Sequence, residues 1–266
     1  MKKKVAVVIL NWNGAALLQR FLPSVCAHTP AHLADIVVAD NGSTDNSVEL
    51  LTREFPQVLL LPFPRNYGFA EGYNRALDEL DYEYAVLLNS DVEVTAHWLE
   101  PLLEFVESHP DVAACQPKIR SLREPEKFEY AGAAGGFIDR YGYPFCRGRL
   151  FGTLETDCGQ YDDPLDIFWA SGAALFVRTA VYREVGGLDP GFFAHMEEID
   201  LCWRIHLAGY RIAVVPQSRV HHQGGASLDA ANPQKTYLNF RNNLLMLHKN
   251  LPRQEGKLSL IHISEP

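Results

Sequence analysis

Two carboxylates follow an apolar segment in residues 86–93, which read Val-Leu-Leu-Asn-Ser-Asp-Val-Glu. In an extended chain, the spacing of Asp91 and Glu93 directs both side chains to the same side. Carboxylates at the carboxyl end of a buried strand, with no basic neighbour in sequence, suit a hard divalent cation that carries a phosphorylated ligand. A solvated turn is the alternative, because Asn, Ser and Asp are common turn residues. The stretch is therefore a candidate metal site whose interpretation depends on its surroundings.

A second group of carboxylates, Glu197, Glu198 and Asp200, lies at the predicted start of a helix that runs to about residue 208. Acidic residues in a first turn stabilise the helix dipole, and this alone explains their presence. Clustered acids also repel one another, which raises the proton affinity of one of them and makes it a better general base. Further along, His221 and His222 precede a Gly-Gly pair. A lone histidine is usually structural, but this pair is a reasonable source of a metal ligand.

Strand and helix patterns alternate from residue 5 to residue 116. The sequence predicts strands at residues 5–10, 35–39, 58–61, 84–88 and 112–116. It predicts helices at residues 15–27 and 45–55, one that ends near residue 80, and one at 93–108; Ser43 or Thr44 would cap the second. This pattern is typical of a doubly wound α/β fold with a mostly parallel central sheet flanked by helices, in which ligands bind outside the carboxyl ends of the strands. Five polar residues are therefore expected on one sheet edge: Asn11, Asn13, Asp40, Asn66 and Asp91.

The later part of the chain is less regular. Residues 117–168 show no sustained period, which predicts short strands and a loop over the site. Gly172 lies among small residues, which indicates close approach by a ligand or another backbone, or else tight core packing. We divide the chain into a domain at residues 1–230, with a regular half (1–116) and a smaller, less regular half (117–230). A C-terminal helix at 231–256 is expected to pack on the core rather than lie on a membrane surface. Residues 257–266 are treated as a truncated end or non-native tail.

Composition narrows the class of protein. The net charge of −9 argues against a nucleic-acid partner, and 47% hydrophobic residues can form a substantial core. The five cysteines contain no Cys-x-x-Cys pair, which favours a reducing compartment. No apolar run approaches the roughly 20 residues of a membrane span, and the first apolar run is too short for a signal peptide. We expect a cytoplasmic protein, and the sequence predicts no particular oligomeric state.

With these motifs in order, the chain resembles the family 2 glycosyltransferases with the GT-A fold, especially bacterial enzymes of the rhamnosyltransferase type. The resemblance extends from about residue 5 to residue 227, and each motif is weak alone but specific in combination. The motifs are Val-Ile-Leu-Asn-Trp-Asn-Gly (8–14), Val-Ala-Asp-Asn-Gly-Ser-Thr-Asp (38–45), Arg-Asn-Tyr-Gly-Phe-Ala (65–70), Leu-Asn-Ser-Asp (88–91), Glu-Glu-Ile-Asp-Leu-Cys-Trp-Arg (197–204) and Val-His-His (220–222).

The resemblance implies that residues 1–116 are a nucleotide-binding half with a donor site for a nucleotide-sugar. It also implies that residues 117–230 are the acceptor-side, catalytic half. Asn11 and Asp40 would contact the base and ribose, with five further residues nearby: Asn13, Asn41, Asp45, Asn66 and Gly68. Asp91 stands at the last position of the family's Asp-x-Asp motif and would bind Mg²⁺ or Mn²⁺ through the donor diphosphate, with His222 approaching the metal. Asn89 occupies the first position of that motif, which leaves one fewer negative charge for the metal.

The resemblance also implies an inverting transfer to an acceptor hydroxyl. Glu198 stands where the family usually has an aspartate base, after Glu197 and close to Asp200, so which carboxylate is the base stays open. Trp169 and Gly172 are candidate acceptor contacts. The implied donor is dTDP-rhamnose, and the implied acceptor is a glycan or lipid-linked molecule of cell-surface polysaccharide synthesis, reached by peripheral contact with the inner membrane face.

Other classes of protein fit the residues less well. A dinucleotide-dependent oxidoreductase should read Gly-x-Gly-x-x-Gly after its first strand, and this chain reads Asn-Trp-Asn-Gly. A nucleotidyltransferase would need a Gly-rich, basic loop there to hold a triphosphate. The alternative that stays open is a catalytically inactive nucleotide- or carbohydrate-binding module on the same fold.

Overall fold

A computed structural model describes residues 3–224 and 233–251. The strands are β1 (Val5–Asn11), β2 (Ala34–Asp40), β3 (Leu59–Pro62), β4 (Tyr84–Leu88), β5 (Val92–Val94), β6 (Val112–Ser121), β7 (Gly136–Ile138), β8 (Pro144–Cys146), β9 (Arg149–Leu150), β10 (Thr153–Leu154), β11 (Leu165–Asp166), β12 (Ala174–Arg178) and β13 (Arg211–His222). The helices are α1 (Ala15–His28), α2 (Ser47–Glu54), α3 (Phe69–Glu79), α4 (Glu100–Ser108), α5 (Thr179–Glu184), α6 (Glu197–Leu207) and α7 (Pro233–Asn250). A short 3-10 turn spans Pro190–Phe192.

Nine of the strands form one central sheet in the order β11, β13, β6, β12, β4, β1, β2, β3, with β5 attached to β13. β1 pairs in parallel with β2 and β4, β2 with β3, and β6 with β13. β12 runs antiparallel between β4 and β6. Two small hairpins, β7 with β8 and β9 with β10, lie in the segment where the sequence predicted short strands. The α/β fold with a mostly parallel sheet flanked by helices is confirmed.

Both faces of the central sheet are buried, which is why its strands read as continuous apolar runs. Val7 and Val8 in β1 are fully buried on opposite faces, and Val86 and Leu87 in β4 repeat this alternation. Helices α1, α2 and α4 cover one face, whereas α3, α5 and α6 cover the other. Burial of these apolar side chains, at about 25 cal/mol per Å² removed from water, supplies the main driving force that fixes the sheet edge.

Three local predictions were wrong. The predicted helix at 93–108 begins only at Glu100, because Val92–Val94 pairs with β13 as a short strand with alternating burial. Glu93 is exposed on that strand while Asp91 is buried before it, so the two carboxylates do not share a site. Helix α2 begins at Ser47, and Asp45 accepts hydrogen bonds from its first turn in place of the predicted Ser43 or Thr44 cap.

Helix α7 packs on the body of the protein, as predicted. Leu238, Met246 and Leu247 are buried, whereas Tyr237 and Phe240 face solvent. Among the helices in the described ranges, none combines the length and apolar character that crossing a bilayer requires. The ends of the predicted 231–256 segment, the tail at 257–266 and residues 225–227 lie outside the described residues.

Candidate active site

The carboxyl ends of β1 and β2 bring Asn11 and Asp40 into direct contact. They are register partners, and Asn11 Nδ2 donates to Asp40 Oδ1 at 2.8 Å. The other carboxylate oxygen of Asp40 accepts from the backbone N–H of Ser43 at 3.0 Å. Asn11 Oδ1 is buried without a hydrogen-bond partner, and a Cβ on residue 14 would lie 2.5 Å from it, so Gly14 leaves this oxygen space. A buried unpaired acceptor is a group that a bound ligand can satisfy.

Asn13 and Asp45 fasten together the loops that follow β1 and β2. Asn13, in the left-handed region at φ 50°, accepts backbone N–H bonds from Thr44 at 2.7 Å and Asp45 at 3.3 Å. Asp45 accepts from the backbone of Ala15 and Ser47, the first residues of α1 and α2. Burial opposes ionisation of Asp45, but these hydrogen bonds outweigh it and lower its pKa. Both side chains therefore shape the edge, and their direct contact with a ligand stays a prediction.

The loop before α3 is held to the same edge by Asn41. Its Nδ2 donates to Asn66 Oδ1 and to the carbonyl of Gly68, both at 2.9 Å, and its Oδ1 accepts from Tyr67 N at 2.9 Å. Gly68 adopts φ 81°, a conformation that favours glycine. The structure thus brings the predicted donor-site residues together on one sheet edge.

Asp91 and His222 form a buried pair beside this edge. Their Oδ1 and Nε2 atoms are 3.1 Å apart, although the residues are 131 positions apart in sequence. On the other side of the ring, Nδ1 lies 3.5 Å from Oε1 of Glu129, a buried carboxylate that the sequence analysis did not single out. Desolvation lowers the pKa of His222, but the two flanking carboxylates outweigh it and raise that pKa to about 10.

The Asp91–His222 pair fits a divalent cation. One carboxylate oxygen and one imidazole nitrogen are already adjacent, and both atoms are ligands that Mn²⁺ or Mg²⁺ accepts in proteins. Within residues 3–224 and 233–251, no group of three or more His, Cys, Asp or Glu side chains is arranged to hold a metal ion. The remaining ligands would therefore come from phosphate oxygens and water, as is usual for Mg²⁺.

Backbone contacts connect the Asp91 segment to the acidic start of α6. Asn89 N donates to the carbonyl of Ala173 at 3.0 Å, at the end of β4. Next to Ala173, Gly172 faces Glu198, and a Cβ on residue 172 would lie 3.6 Å from the Glu198 Cβ. Asn89 is thus linked to Glu198 through the backbone of Ala173 and Gly172.

Glu197 and Glu198 are carboxyls with raised pKa values. Each has one buried oxygen, Oε2, without a hydrogen-bond partner. Burial raises both pKa values above 4.5, and the neighbouring Glu198 charge adds to the larger effect on Glu197. Glu197 is a buried residue and Glu198 is partly exposed, so only Glu198 can meet a substrate without rearrangement. This distinction favours Glu198 as the group that accepts a proton.

Asp200 was a candidate catalytic residue, but the structure does not place it where a substrate could reach it. It is fully buried, and its carboxylate accepts hydrogen bonds from Arg204 at 2.9 Å, Lys249 at 2.9 Å and Asn250 at 2.8 Å. A fully buried carboxylate whose two oxygens both accept from its own protein is not accessible to an acceptor hydroxyl. Asp200 therefore ties α6 to α7.

Trp169 likewise lies in the core rather than at an acceptor surface. Its indole packs on Gly136, where a Cβ would lie 2.1 Å from the ring, and its Nε1 donates to the carbonyl of Phe137 at 2.9 Å. Only 4% of the residue is exposed. Because a sugar needs an open aromatic face to stack on, the prediction of Trp169 as an acceptor contact is wrong.

The loop before α6 is held in an uncommon backbone conformation. Phe193, His195 and Met196 all have positive φ values, between 65° and 72°. Non-glycine residues in this region cost free energy and persist only where the surroundings hold them. Asn242 of α7 provides this support, because its Nδ2 donates to the carbonyls of Phe192, Ala194 and His195 at 2.7–2.9 Å. Nothing in the local sequence of the loop indicates this contact.

Comparison with known proteins agrees with the geometry. The profile described as Glycosyl transferase family 2 matches residues 6–167. A relative from Mycobacterium tuberculosis, N-acetylglucosaminyl-diphospho-decaprenol L-rhamnosyltransferase, is 28% identical over 90% of this chain and 84% of its own.

Solved structures share the fold at lower identity. GalNAc-T7 with UDP, GalNAc and Mn²⁺ has a TM-score of 0.68 and 18% identity, over 98% of this chain and 54% of its own. A mannosyltransferase of Pyrobaculum calidifontis with GDP-Man and Mn²⁺ has a TM-score of 0.64 and 15% identity, over 94% of this chain and 64% of its own. The described architecture is that of GT-A glycosyltransferases.

Proposed function

Because the chain belongs to glycosyl transferase family 2, we propose that it moves a sugar from a nucleotide-diphosphate donor to an acceptor hydroxyl, with inversion at the anomeric carbon and with Mg²⁺ or Mn²⁺ bound. One observation carries the proposal: a metal-ligand pair and an unpaired carboxyl of raised pKa lie on the same region of the sheet as Asn11 and Asp40. Family membership indicates the class of reaction, and these residues would bind the donor, hold the cation and accept the proton.

The donor-site residues bind the nucleoside diphosphate, which is the leaving group. Asn11 and Asp40, buried at the carboxyl ends of neighbouring strands, receive the nucleoside, where ligands of doubly wound sheets bind. Asp91 and His222 would hold the divalent cation. When bound, this cation neutralises charge that develops on the departing diphosphate.

Glu198 is the residue that activates the acceptor. Glu198 accepts the proton of the acceptor hydroxyl, the freed oxygen forms its bond to the anomeric carbon, and the bond from that carbon to the diphosphate oxygen breaks. The raised pKa of Glu198 makes it a stronger base once ionised, and Gly172 leaves open space beside its side chain. No covalent sugar–protein bond is required.

The donor and acceptor are proposed from relatives. The similarity to a rhamnosyltransferase whose name specifies a lipid-diphosphate acceptor favours dTDP-rhamnose as donor and a lipid-linked glycan of cell-surface polysaccharide synthesis as acceptor. Such an acceptor requires peripheral contact with the inner face of the membrane. The exposed side chains of Tyr237, Phe240 and Leu245 on α7 offer an apolar surface for that contact.

A binding module without catalysis is the competing function. It would explain Asn11 and Asp40, but it has no use for a Glu198 carboxyl with a raised pKa and one buried, unpaired oxygen. Slow hydrolysis of the donor without an acceptor would separate the two, because only an enzyme cleaves the bond to the diphosphate.

A thermal-shift panel tests the proposal directly. UDP, dTDP, GDP, CDP and ADP would each be added with and without Mn²⁺. A ligand at 100 times its dissociation constant stabilises the folded state by about 2.7 kcal/mol. We expect a Mn²⁺-dependent shift with dTDP, and its loss in Asp91→Asn. No shift with any of the five, from folded protein, would contradict the proposed donor site.

A further inference from the structure

Glu129 is a buried carboxylate in the irregular segment between β6 and β7, and the proposed reaction does not yet use it. Its Oε2 accepts from the backbone N–H of Ala131 at 2.5 Å, and its Oε1 faces His222 Nδ1 at 3.5 Å. Only 7% of Glu129 and 8% of His222 are exposed. A buried carboxylate with one oxygen fixed by the backbone and the other directed at an imidazole has a defined orientation.

The backbone around the pair also fits this arrangement. Glu129 N donates to the carbonyl of Ile119 at 3.1 Å, which fastens its segment to β6, and β6 pairs with the strand that carries His222. Two residues after His222, Gly224 has φ 66°, and a Cβ there would lie 3.1 Å from Glu129 Oε1. The chain therefore turns closely over Glu129 as it leaves β13.

We propose that Glu129 is a positioning residue for the metal site, an inference that rests on the proposed function. Glu129 keeps the proton of His222 on Nδ1 and so leaves Nε2 available to bind the cation beside Asp91. In the part of the chain that the structure describes, Nδ1 has no hydrogen-bond partner, and the Glu129 carboxylate faces it at 3.5 Å. Metal-bound histidines commonly donate their second N–H to a carboxylate, which fixes the tautomer and the ring orientation.

Charge supports the same role. The motif at residues 88–91 has Asn89 where a second acid would add negative charge for the metal. Glu129 restores that charge from the far side of the imidazole, so Asp91 and Glu129 together balance a divalent cation. A purely structural Glu129 would need only the Ala131 contact and not an oxygen directed at His222.

Glu129→Gln is the sharpest test variant. The amide oxygen can keep the bond from Ala131 N, which places the amide N–H₂ against His222 Nδ1. That donor favours a proton on Nε2, the nitrogen that the cation needs. Glu155→Gln is the matched control, because Glu155, directly after β10, is a partly buried carboxylate that accepts hydrogen bonds from Tyr161 and Gln160.

Two readouts separate positioning from structure. The first is Mn²⁺ affinity in the presence of dTDP, followed by the electron paramagnetic resonance signal of free Mn²⁺. The second is the ¹⁵N spectrum of histidine-labelled protein with Mg²⁺ and dTDP, in which His222→Ala identifies the His222 signals. We expect Glu129→Gln to weaken Mn²⁺ binding by about 10- to 100-fold and to move the His222 proton from Nδ1 to Nε2. Glu155→Gln should change neither.

The outcomes distinguish this inference from the proposed function. Mn²⁺ affinity and a His222 tautomer equal to wild type in folded Glu129→Gln would overturn the role of Glu129 and leave the proposed function standing. Absence of Mn²⁺ binding by the wild-type protein with any of the five nucleoside diphosphates would overturn both. Thermal unfolding of each variant shows whether the fold is kept. If Glu129→Gln does not fold, Glu129→Asp replaces it, and wild-type Mn²⁺ affinity in that shortened variant would also contradict the proposal.

Discussion

Asn250, at the end of α7, donates a 2.8 Å hydrogen bond to Asp200 in the first turn of α6. Lys249 and Arg204 complete the set of donors around this fully buried carboxylate. The contact joins the last described helix to the helix that begins with Glu197 and Glu198. Helix α7 therefore contacts the helix that carries Glu198.

Asp200→Ala should therefore destabilise the protein. Removing the carboxylate leaves Arg204 and Asn250 without their buried acceptor, which we expect to cost about 2–4 kcal/mol. The free energy of unfolding in urea measures this loss. Glu184→Ala, at an exposed carboxylate, is the control and should stay within about 0.5 kcal/mol of wild type. Unchanged stability together with lost transfer would return Asp200 to the catalytic candidates.

Glu198→Gln should retain donor binding and lose transfer. The amide keeps the size of the side chain but cannot accept the hydroxyl proton, and a positioned base is typically worth about 10²- to 10⁴-fold in rate. The measurements are the initial rate of sugar transfer and the Mn²⁺-dependent thermal shift with nucleotide. Wild-type turnover in this variant would place the base elsewhere.

Glu197→Gln should raise stability at high pH. Burial and the adjacent Glu198 charge raise the folded-state pKa of Glu197, so the folded state binds a proton more tightly than the unfolded chain does. Stability from this group is complete below its ordinary pKa of 4.5 and falls as pH rises through the raised value. The melting temperature of wild type should drop across this range, and that of Glu197→Gln should drop less. Parallel pH curves for the two proteins would contradict the assignment.

The sequence predicted which polar residues lie on the sheet edge because the signals for this are local. A buried strand needs an apolar run, and the polar residues that end such runs, Asn11, Asp40 and Asp91, necessarily meet at one edge of a parallel sheet. Elsewhere, residue type alone did not predict which side chains are exposed at the site. Trp169 was a candidate acceptor contact, and its packing on Gly136 buries it.

Glu129 and Asn242 could not be predicted because their partners are distant in sequence. Glu129 lies in a segment without periodicity and meets His222 only once β6 and β13 have paired. Asn242 lies on a helix that looked like an appended core-packing element. In both cases the informative signal is a tertiary contact and not a spacing.

Asn242→Ala should impair catalysis more than donor binding. Its amide holds three carbonyls of the loop in which Phe193, His195 and Met196 keep positive φ values. Without that amide, the loop can relax toward conformations that cost less, and Glu198, two residues beyond Met196, loses its fixed position. We expect kcat to fall by about 10-fold or more, with nucleotide affinity within about 2-fold of wild type, since a 1 Å misplacement can cost about 100-fold.

Two further variants sharpen the test of Asn242. Asn242→Asp is isosteric but replaces the donor with a carboxylate facing carbonyl oxygens, so it should impair kcat at least as much as alanine does. Asn243→Ala is the matched control, because Asn243 is a buried neighbour on the same helix whose Oδ1 has no hydrogen-bond partner. Steady-state kinetics at saturating donor and acceptor would separate kcat from KM. If Asn243→Ala lowers kcat as much as Asn242→Ala, the effect comes from loosened helix packing, and Asn242 has no particular role in holding the loop at Glu198.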